Sequence, residues 1–369
     1  MQTDLAPQPA ATATALPARF YVEPAMADLD RRALFGRAWQ WVAHVSQLRA
    51  AGDHVIANLA GLPVIAVRGS DAVIRVMHNV CRHRAGPIAQ CDGLAAKSLR
   101  CRYHGWTYTL EGQLRSAPEM KDAQDFDVAD VQLPQLAVKV WQGLVFAAID
   151  AANAPDFDAF VAGIDARLGA DRGLDAYGDH HRASYDIACN WKVYIDNYLE
   201  GYHVPHVHPG LNRLLDYRSY RTELSAWHSL QWSPLESDAA LYGNGDALYY
   251  WLWPNTMLNI LPGRLQTNTV VPLGVDHCRV IFDSYYAESD DSAKRDADLA
   301  FSDEVQHEDI GICEDVQRGM ASGSYVPGRL NPLRETGVHH FHELLRAAYR
   351  GHAADAATGQ AGGAVDARA

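Results

Sequence analysis

The sequence predicts an α+β protein, with a small β-rich domain followed by a larger domain whose antiparallel sheet is covered by helices. Residues 39–150 break into short apolar, β-branched runs separated by Gly and Asp turns, the pattern of small paired strands. Residues 247–285 read as strands again, flanked by two stretches of helical period at 190–202 and 292–320. A chain of 369 residues is long enough for two separate cores.

Residues 1–19 are rich in Ala, Pro and Thr, with neither a basic start nor an apolar run, and read as a flexible tail rather than a secretory leader. An N-terminal helical unit is expected over 20–38, with the pattern from Pro24 to Trp41 carried by Leu29, Leu34, Phe35 and Trp39. Within 39–150, strands are expected at Val55–Leu59, Pro63–Val67, Val73–Met77 and Leu144–Ile149, with Gly69-Ser70-Asp71 as a hairpin turn. Helical character at Pro155–Leu168 marks entry into a second domain over 151–350. There Trp191, Tyr194, Ile195, Tyr198 and Tyr202 share one helical face, and Tyr249–Trp253 and Val280–Tyr285 read as strands. His340–Arg350 closes the domain as a short helix, and the Gly/Ala-rich residues 351–369 read as a disordered tail.

The composition is that of a soluble globular protein, 48% hydrophobic and 21% charged. A formal charge of −13, from 45 acidic and 32 basic residues, argues against a nucleic-acid partner. No apolar run is long enough to span a membrane. The six cysteines form no disulfide framework, which fits a reducing cytoplasm.

Two of those cysteines carry the chemistry. Cys81 and His83 precede Cys101 and His104 in a C-x-H-x17-C-x2-H pattern. Zinc sites of two cysteines and two histidines usually keep like ligands together. Here each cysteine travels with its own histidine. That order suits a [2Fe–2S] cluster of the Rieske type, with two thiolates on one iron and two imidazoles on the other. Gly86 and Gly105 suit tight loops that let backbone approach the cluster. Cys91 fits neither loop and is expected to be a buried or partly buried free thiol.

A second constellation follows at Glu200-Gly-Tyr-His203-Val-Pro-His206-Val-His208, where Pro205 should end a helix. Two of these three histidines plus a carboxylate would make the facial triad of a non-heme iron. Helical phase nominates the carboxylate: Asp309 falls within a stripe of Phe301, Val305, Ile312 and Val316, while Glu308 should point elsewhere. A buried carboxylate needs a cation, so the bland alternative pairs Asp309 with Arg329 or Arg334.

The segments Cys81–Pro87 and Cys101–Tyr108 resemble the Rieske domain of bacterial non-heme iron oxygenases, and Asn190–His203 with His208 resembles the catalytic motif of their α subunits. The resemblance implies that His203 and His208 bind the mononuclear Fe(II) with Asp309, leaving His206 outside the ligand set. It places Glu308-Asp309 ahead of Cys313-Glu314-Asp315-Val316-Gln317, and makes Glu200 a bridge to the Rieske cluster of the next subunit. Glu200 and Asn197 are the expected catalytic residues. Glu at position 200 is similar to the bridging residue of the carnitine and betaine oxygenases. The family pattern further implies O2, a homotrimer and a separate NAD(P)H-dependent flavin/iron–sulfur reductase; no G-x-G-x-x-G or plant-type ferredoxin pattern occurs in this chain.

For the substrate, Tyr249, Trp251 and Trp253 alternate on one strand face, with Trp227, Trp232 and Tyr242 upstream and Asn259 and Asn268 as polar candidates. Such rings could cage a quaternary ammonium group through cation–π contacts, stack on an aromatic substrate, or form core. The leading expectation is monooxygenation or N-demethylation of a small quaternary ammonium compound. Hydroxylation of an aromatic acid is the alternative, and a non-catalytic electron carrier the remote one. The histidines of His339-His340-Phe341-His342 are expected to be structural.

Overall fold

The computed structural model describes residues 3–169, 173–235, 241–243, 245–287 and 291–358. The chain enters through helices α1 (Arg19–Val22) and α2 (Pro24–Ala33). Nine strands follow: β1 (Trp39–His44), β2 (His54–Leu59), β3 (Leu62–Arg68), β4 (Ile74–His78), β5 (Leu99–Arg100), β6 (Thr107–Tyr108), β7 (Leu114–Ser116), β8 (Ala137–Trp141) and β9 (Leu144–Ala148). They pair into three antiparallel three-stranded sheets, ordered β1-β9-β8, β2-β3-β4 and β5-β6-β7. Small sheets share their burden here. The β2-β3-β4 sheet puts Val64 and Ala66 into one core, packed on Val145 and Ala147 of β9, and Ile65 and Val67 into another, packed on Tyr108 and the cluster loops.

Short helices α3 (Phe157–Phe160) and α4 (Ile164–Leu168) lead into the second domain. Its sheet has seven antiparallel strands: β10 (Asp179–Ile187), β11 (Arg221–Leu224), β12 (His228–Pro234), β13 (Asp246–Leu252), β14 (Thr256–Leu261), β15 (Arg264–Pro272) and β16 (Cys278–Tyr286). The order is β10-β16-β15-β14-β13-β12-β11, a meander from β11 to β16 with β10 added at the far edge. Helices α5 (Trp191–Tyr198), α6 (Val204–Val207), α7 (Pro209–Leu214), α8 (Ser292–Ala321) and α9 (Thr336–Thr358) complete the domain. Asn190 caps α5 by accepting from the Lys192 amide at 2.9 Å.

Buried ion pairs tie these layers together. The Lys192 ammonium, fully buried on α5, pairs with Asp30 of α2, which also accepts from the Trp191 indole and the Tyr349 hydroxyl of α9. Asp196 of α5 accepts from Tyr21 at 2.6 Å and bonds His342 of α9 at 2.9 Å. His339 bonds the Gln8 carbonyl at 2.8 Å, so both it and His342 are held in tertiary hydrogen bonds.

Several sequence expectations need correction. Residues 3–19 are no flexible tail: Leu5, Ala13 and Leu16 are buried in the main core, and Thr14 bridges to Arg329. The N-terminal helical unit continues past Ala33 as a 3-10 turn at Phe35–Arg37, but Trp39–Trp41 is strand: its bulky residues pair with Phe146–Ala148 and are buried on both faces. The last helix runs on to Thr358, so 351–358 is helical; 359–369 lie outside the described residues. Cys91 is exposed rather than buried, in the loop that crosses between the two cluster motifs. Cys189 and Cys278, distant in sequence, meet at 3.9 Å between sulfurs.

Candidate metal centres and substrate cavity

The two cluster loops repeat one backbone design. In each, the cysteine carbonyl accepts from the amide four residues on: Ala85 to Cys81, and Gly105 to Cys101, both at 3.0 Å. In each, the cysteine amide donates to the carbonyl five residues on: Cys81 to Gly86 at 2.8 Å and Cys101 to Trp106 at 2.9 Å. The fourth residue takes a left-handed conformation in both, φ 57° at Ala85 and 75° at Gly105. The folds of the two loops thereby present both thiols inward, buried, and both imidazoles together, with His83 and His104 ring centroids 4.6 Å apart. Trp106 stacks flat on His83 at 4.7 Å, and the Cys81 sulfur lies 3.3 Å from the Tyr108 hydroxyl.

These residues fit a Rieske cluster on two observations. A Cβ at Gly86 would come within 3.0 Å of the Cys101 sulfur, so the loop backbone lies against the thiol as a cluster cradle requires. The buried Nδ1 of His83 has no hydrogen-bond partner among the described residues.

The second centre assembles at the end of α5. That helix stops at Leu199, short of the predicted Tyr202, and α6 begins at Val204 with Pro205 in its first turn. The break aims His203 and His208 at Asp309 of α8. One ligand atom of each lies within 4.8 Å of the others. The nitrogen choice is explicit. His203 Nδ1 is 2.5 Å from Glu200 Oε1, leaving Nε2 3.8 Å from Asp309 Oδ1. His208 Nδ1 is 2.7 Å from Glu308 Oε2, leaving Nε2 3.0 Å from the same oxygen. Each imidazole is thus held by a carboxylate behind it, the arrangement that orients metal-ligating histidines. Asn197 donates to Asp309 Oδ1 at 2.6 Å and sets the rotamer of the carboxylate. Burial disfavours a charged His208, but Asp309 and Glu308 outweigh it and raise its pKa above the ordinary value. Two imidazoles and one carboxylate converging with an open side fit a facial non-heme iron site.

Glu308 therefore does not point elsewhere, as helical phase suggested. The apolar stripe misjudged the helix: Val316 is exposed, and the buried residues of α8 are Asp298, Gln306, Cys313 and Gln317. Among the described residues Asp309 is met by His203, His208 and Asn197, not by Arg329 or Arg334. His206 lies outside the converging group.

A cavity of about 110 Å³ opens beside this centre. Glu200, His203, His208 and Asp309 line one end; Tyr198, Tyr220, Tyr242, Tyr249, Phe282 and Phe301 supply aromatic walls. Asn259 and Asn268 both line it, but of the anticipated strand face only Tyr249 does. Trp251 and Trp253 pack against Phe341 of α9, and Trp232 lies under the Arg167 guanidinium. The floor is a polar row across the sheet. Tyr198 donates to Asn259 at 2.7 Å, Asn259 to Gln266 at 3.1 Å, and Gln266 to Ser302 of α8 at 2.9 Å. Gln231 and Gln266 escaped the sequence reading; period-two alternation with Asn268 on β15 could have found Gln266, whereas Gln231 reaches the cavity only through its pairing opposite Tyr249.

Residues 38–136 match the Rieske [2Fe–2S] domain, and residues 174–351 match the ring hydroxylating alpha subunit (catalytic domain). The chain belongs to the Rieske-type oxygenase α-subunit family. It is an oxygenase whose cofactors are a Rieske [2Fe–2S] cluster and a mononuclear iron. Among relatives, it is 35% identical over 353 residues to a chloroplastic choline monooxygenase of Arabidopsis thaliana, covering 91% of this chain and 83% of the relative. It is 30% identical over 356 residues to the carnitine monooxygenase oxygenase subunit of Escherichia coli (strain K12), covering 91% and 94%. The structure of the quaternary ammonium Rieske monooxygenase CntA with L-carnitine superposes with a TM-score of 0.81 at 26% identity, covering 93% of this chain and 99% of that one. Naphthalene 1,2-dioxygenase from Rhodococcus sp. shares the fold, with a TM-score of 0.75 at 19% identity over 91% of this chain and 94% of that one. Among the described residues no helix is long and apolar enough to cross a membrane.

Proposed function

We propose that this chain hydroxylates a small quaternary ammonium compound at a carbon next to nitrogen, so that an N-methyl group is oxidised or leaves as formaldehyde. Cys81, Cys101, His83 and His104 would hold the cluster, and His203, His208 and Asp309 the iron. Bound there, the iron supplies O2 activation, with electrons stored at the cluster and delivered by a separate reductase. The observation that carries the substrate class is the cavity: tyrosine and phenylalanine rings line it, and carboxylates stand at its metal end. Ring faces and carboxylates together favour a cation, and an N-methyl group needs no hydrogen bond from the wall.

The rest is positioning. Glu200 accepts from the His203 ring and also from the His203 amide at 3.1 Å, so one carboxylate fixes both the ring and the loop that carries it. Its place beside a metal-binding imidazole suits it to couple this centre to the cluster of a neighbouring subunit in a homotrimer. Asn197 keeps Asp309 turned to the two Nε2 atoms. The aromatic walls exclude water around the reacting carbon.

The test is a product assay by mass spectrometry, with iron-replete protein, a surrogate Rieske reductase and NADH. Choline, betaines and carnitine would be offered beside a set of aromatic acids. Demethylated or oxidised ammonium product is expected. Hydroxylated aromatic product alone would overturn the proposal.

A further inference from the structure

The cavity has a second end that the iron chemistry does not use. There Arg264 of β15, with only 6% of its side chain exposed, lines the wall together with Tyr242. Its Nη1 donates to Asp298 of α8 at 2.6 Å and to the Tyr242 hydroxyl at 3.0 Å. Asp298 accepts from the Tyr242 and Tyr286 hydroxyls as well, so its charge is shared among three donors. The opposite edge of the guanidinium is free: Nε is buried without a partner, and Nη2 makes no hydrogen bond among the described residues. Nε and Nη2 form a planar two-pronged edge that matches a carboxylate. A buried donor left unpaired is costly, so an unused fork on a cavity wall calls for an acceptor.

The spacing of the two ends follows from α8, which runs alongside β15. Asp298 meets Arg264, Ser302 meets Gln266, and Asp309 stands at the iron end. Asp298 and Asp309 are eleven residues apart, which is about 16 Å along a helix. The ends also differ in charge. Against the two positive charges of a bound Fe(II), Glu200, Asp309 and Glu308 leave the metal end with one net negative charge, whereas Arg264 and Asp298 cancel at the other. Tyr242 and Arg264 further line a second, smaller cleft with Lys294, Arg295 and Asp298. A ligand spanning the cavity would put its cation toward the carboxylates and an anion toward Arg264.

From this geometry we infer that Arg264 is a specificity-determining residue that receives the carboxylate of a zwitterionic substrate, an ammonium acid with a spacer of several carbons between its two charges. The inference rests on the ammonium reading above and narrows it: choline lacks the anion, and glycine betaine is too short to join both ends.

The test is calorimetric binding to the fully metallated enzyme, with γ-butyrobetaine, its nearly isosteric carboxamide, and choline. Wild-type protein should bind the acid roughly tenfold to a hundredfold tighter than the carboxamide, the effect of a charged hydrogen-bonded contact. Arg264→Gln should erase that preference while leaving the carboxamide and choline nearly unchanged. Equal wild-type binding of acid and carboxamide would overturn the inference, as would a uniform loss for all three ligands in a folded Arg264→Gln protein. If that variant does not fold, the wild-type contrast still decides, together with Arg264→Lys, which keeps the charge and should lose most of the preference with the fork. Failure of every ammonium compound to bind, with aromatic acids binding instead, would overturn the ammonium reading itself and this inference with it.

Discussion

The cluster loops and the iron site hold their side chains by opposite means. Each cluster loop is self-contained: its cysteine, its histidine, its left-handed turn and the two backbone hydrogen bonds that close it fall within six residues. The proposed iron site is assembled from a helix break at Leu199–His203 and a carboxylate more than a hundred residues on, held by α8 against the sheet. A local site depends on turn geometry, whereas an assembled one depends on the packing of α5 and α8. Damage to one should leave the other intact, and each variant below probes that separation.

Among variants that keep both metals bound, the largest effect is expected at Glu200. Glu200→Gln keeps an acceptor for the His203 ring N–H, so iron should stay bound, but the charge is lost. Turnover should fall roughly tenfold to a hundredfold with the cluster spectrum unchanged. Full activity in a metallated Glu200→Gln enzyme would refute its coupling role. Glu308→Ala removes the acceptor behind His208 altogether. Iron affinity, followed by competition with a chelator, should drop by about ten- to a hundredfold. At the local site, Gly86→Ala puts a methyl group against the Cys101 sulfur. Cluster occupancy, read from the visible spectrum, should fall while mononuclear iron remains.

A smaller effect concerns the junction between the domains. The His44 ring of β1 lies tilted against Tyr285 of the large sheet, centroids 4.7 Å apart, and its Nε2 lies 3.2 Å from the Leu174 carbonyl. Burial lowers its pKa from 6.5 to about 4, and burial does the same for His340, which sits edge-on to Trp251. Both rings are neutral in the fold, whereas in the unfolded chain they protonate below 6.5. Stability should therefore be undiminished above pH 6.5 and lost as pH falls toward 4, by about 2–3 kcal/mol for each histidine. Denaturant midpoints across that range would measure it, and His44→Asn should flatten the slope.

The same contrast decides what the sequence could reveal. The cluster motif was legible because its ligands, glycines and turns are neighbours in the chain. The convergence of His203, His208 and Asp309 was legible through spacing and family resemblance, yet Glu308 was misread. Its helix buries Asp298, Gln306 and Gln317, and a polar buried face carries no hydropathy signal. Tertiary contacts likewise hid the ends of the chain. Leu5 and Leu16 are too sparse to announce burial, and Trp39–Trp41 leaves the helical pattern because it pairs with strand β9. Of the roles left open for Trp251 and Trp253, the structure gives core contacts with Phe341, which period-two alternation cannot distinguish from a ligand-facing row.

The most direct test is iron counting on the wild-type chain and on Asp309→Ala, together with the visible spectrum of each. A cluster plus a separate iron predicts about three iron atoms per wild-type chain. Asp309→Ala should retain about two, with the Rieske spectrum intact and turnover abolished. Retention of the full complement, or loss of the cluster along with the single iron, would contradict the assignment of two independently built centres to this chain.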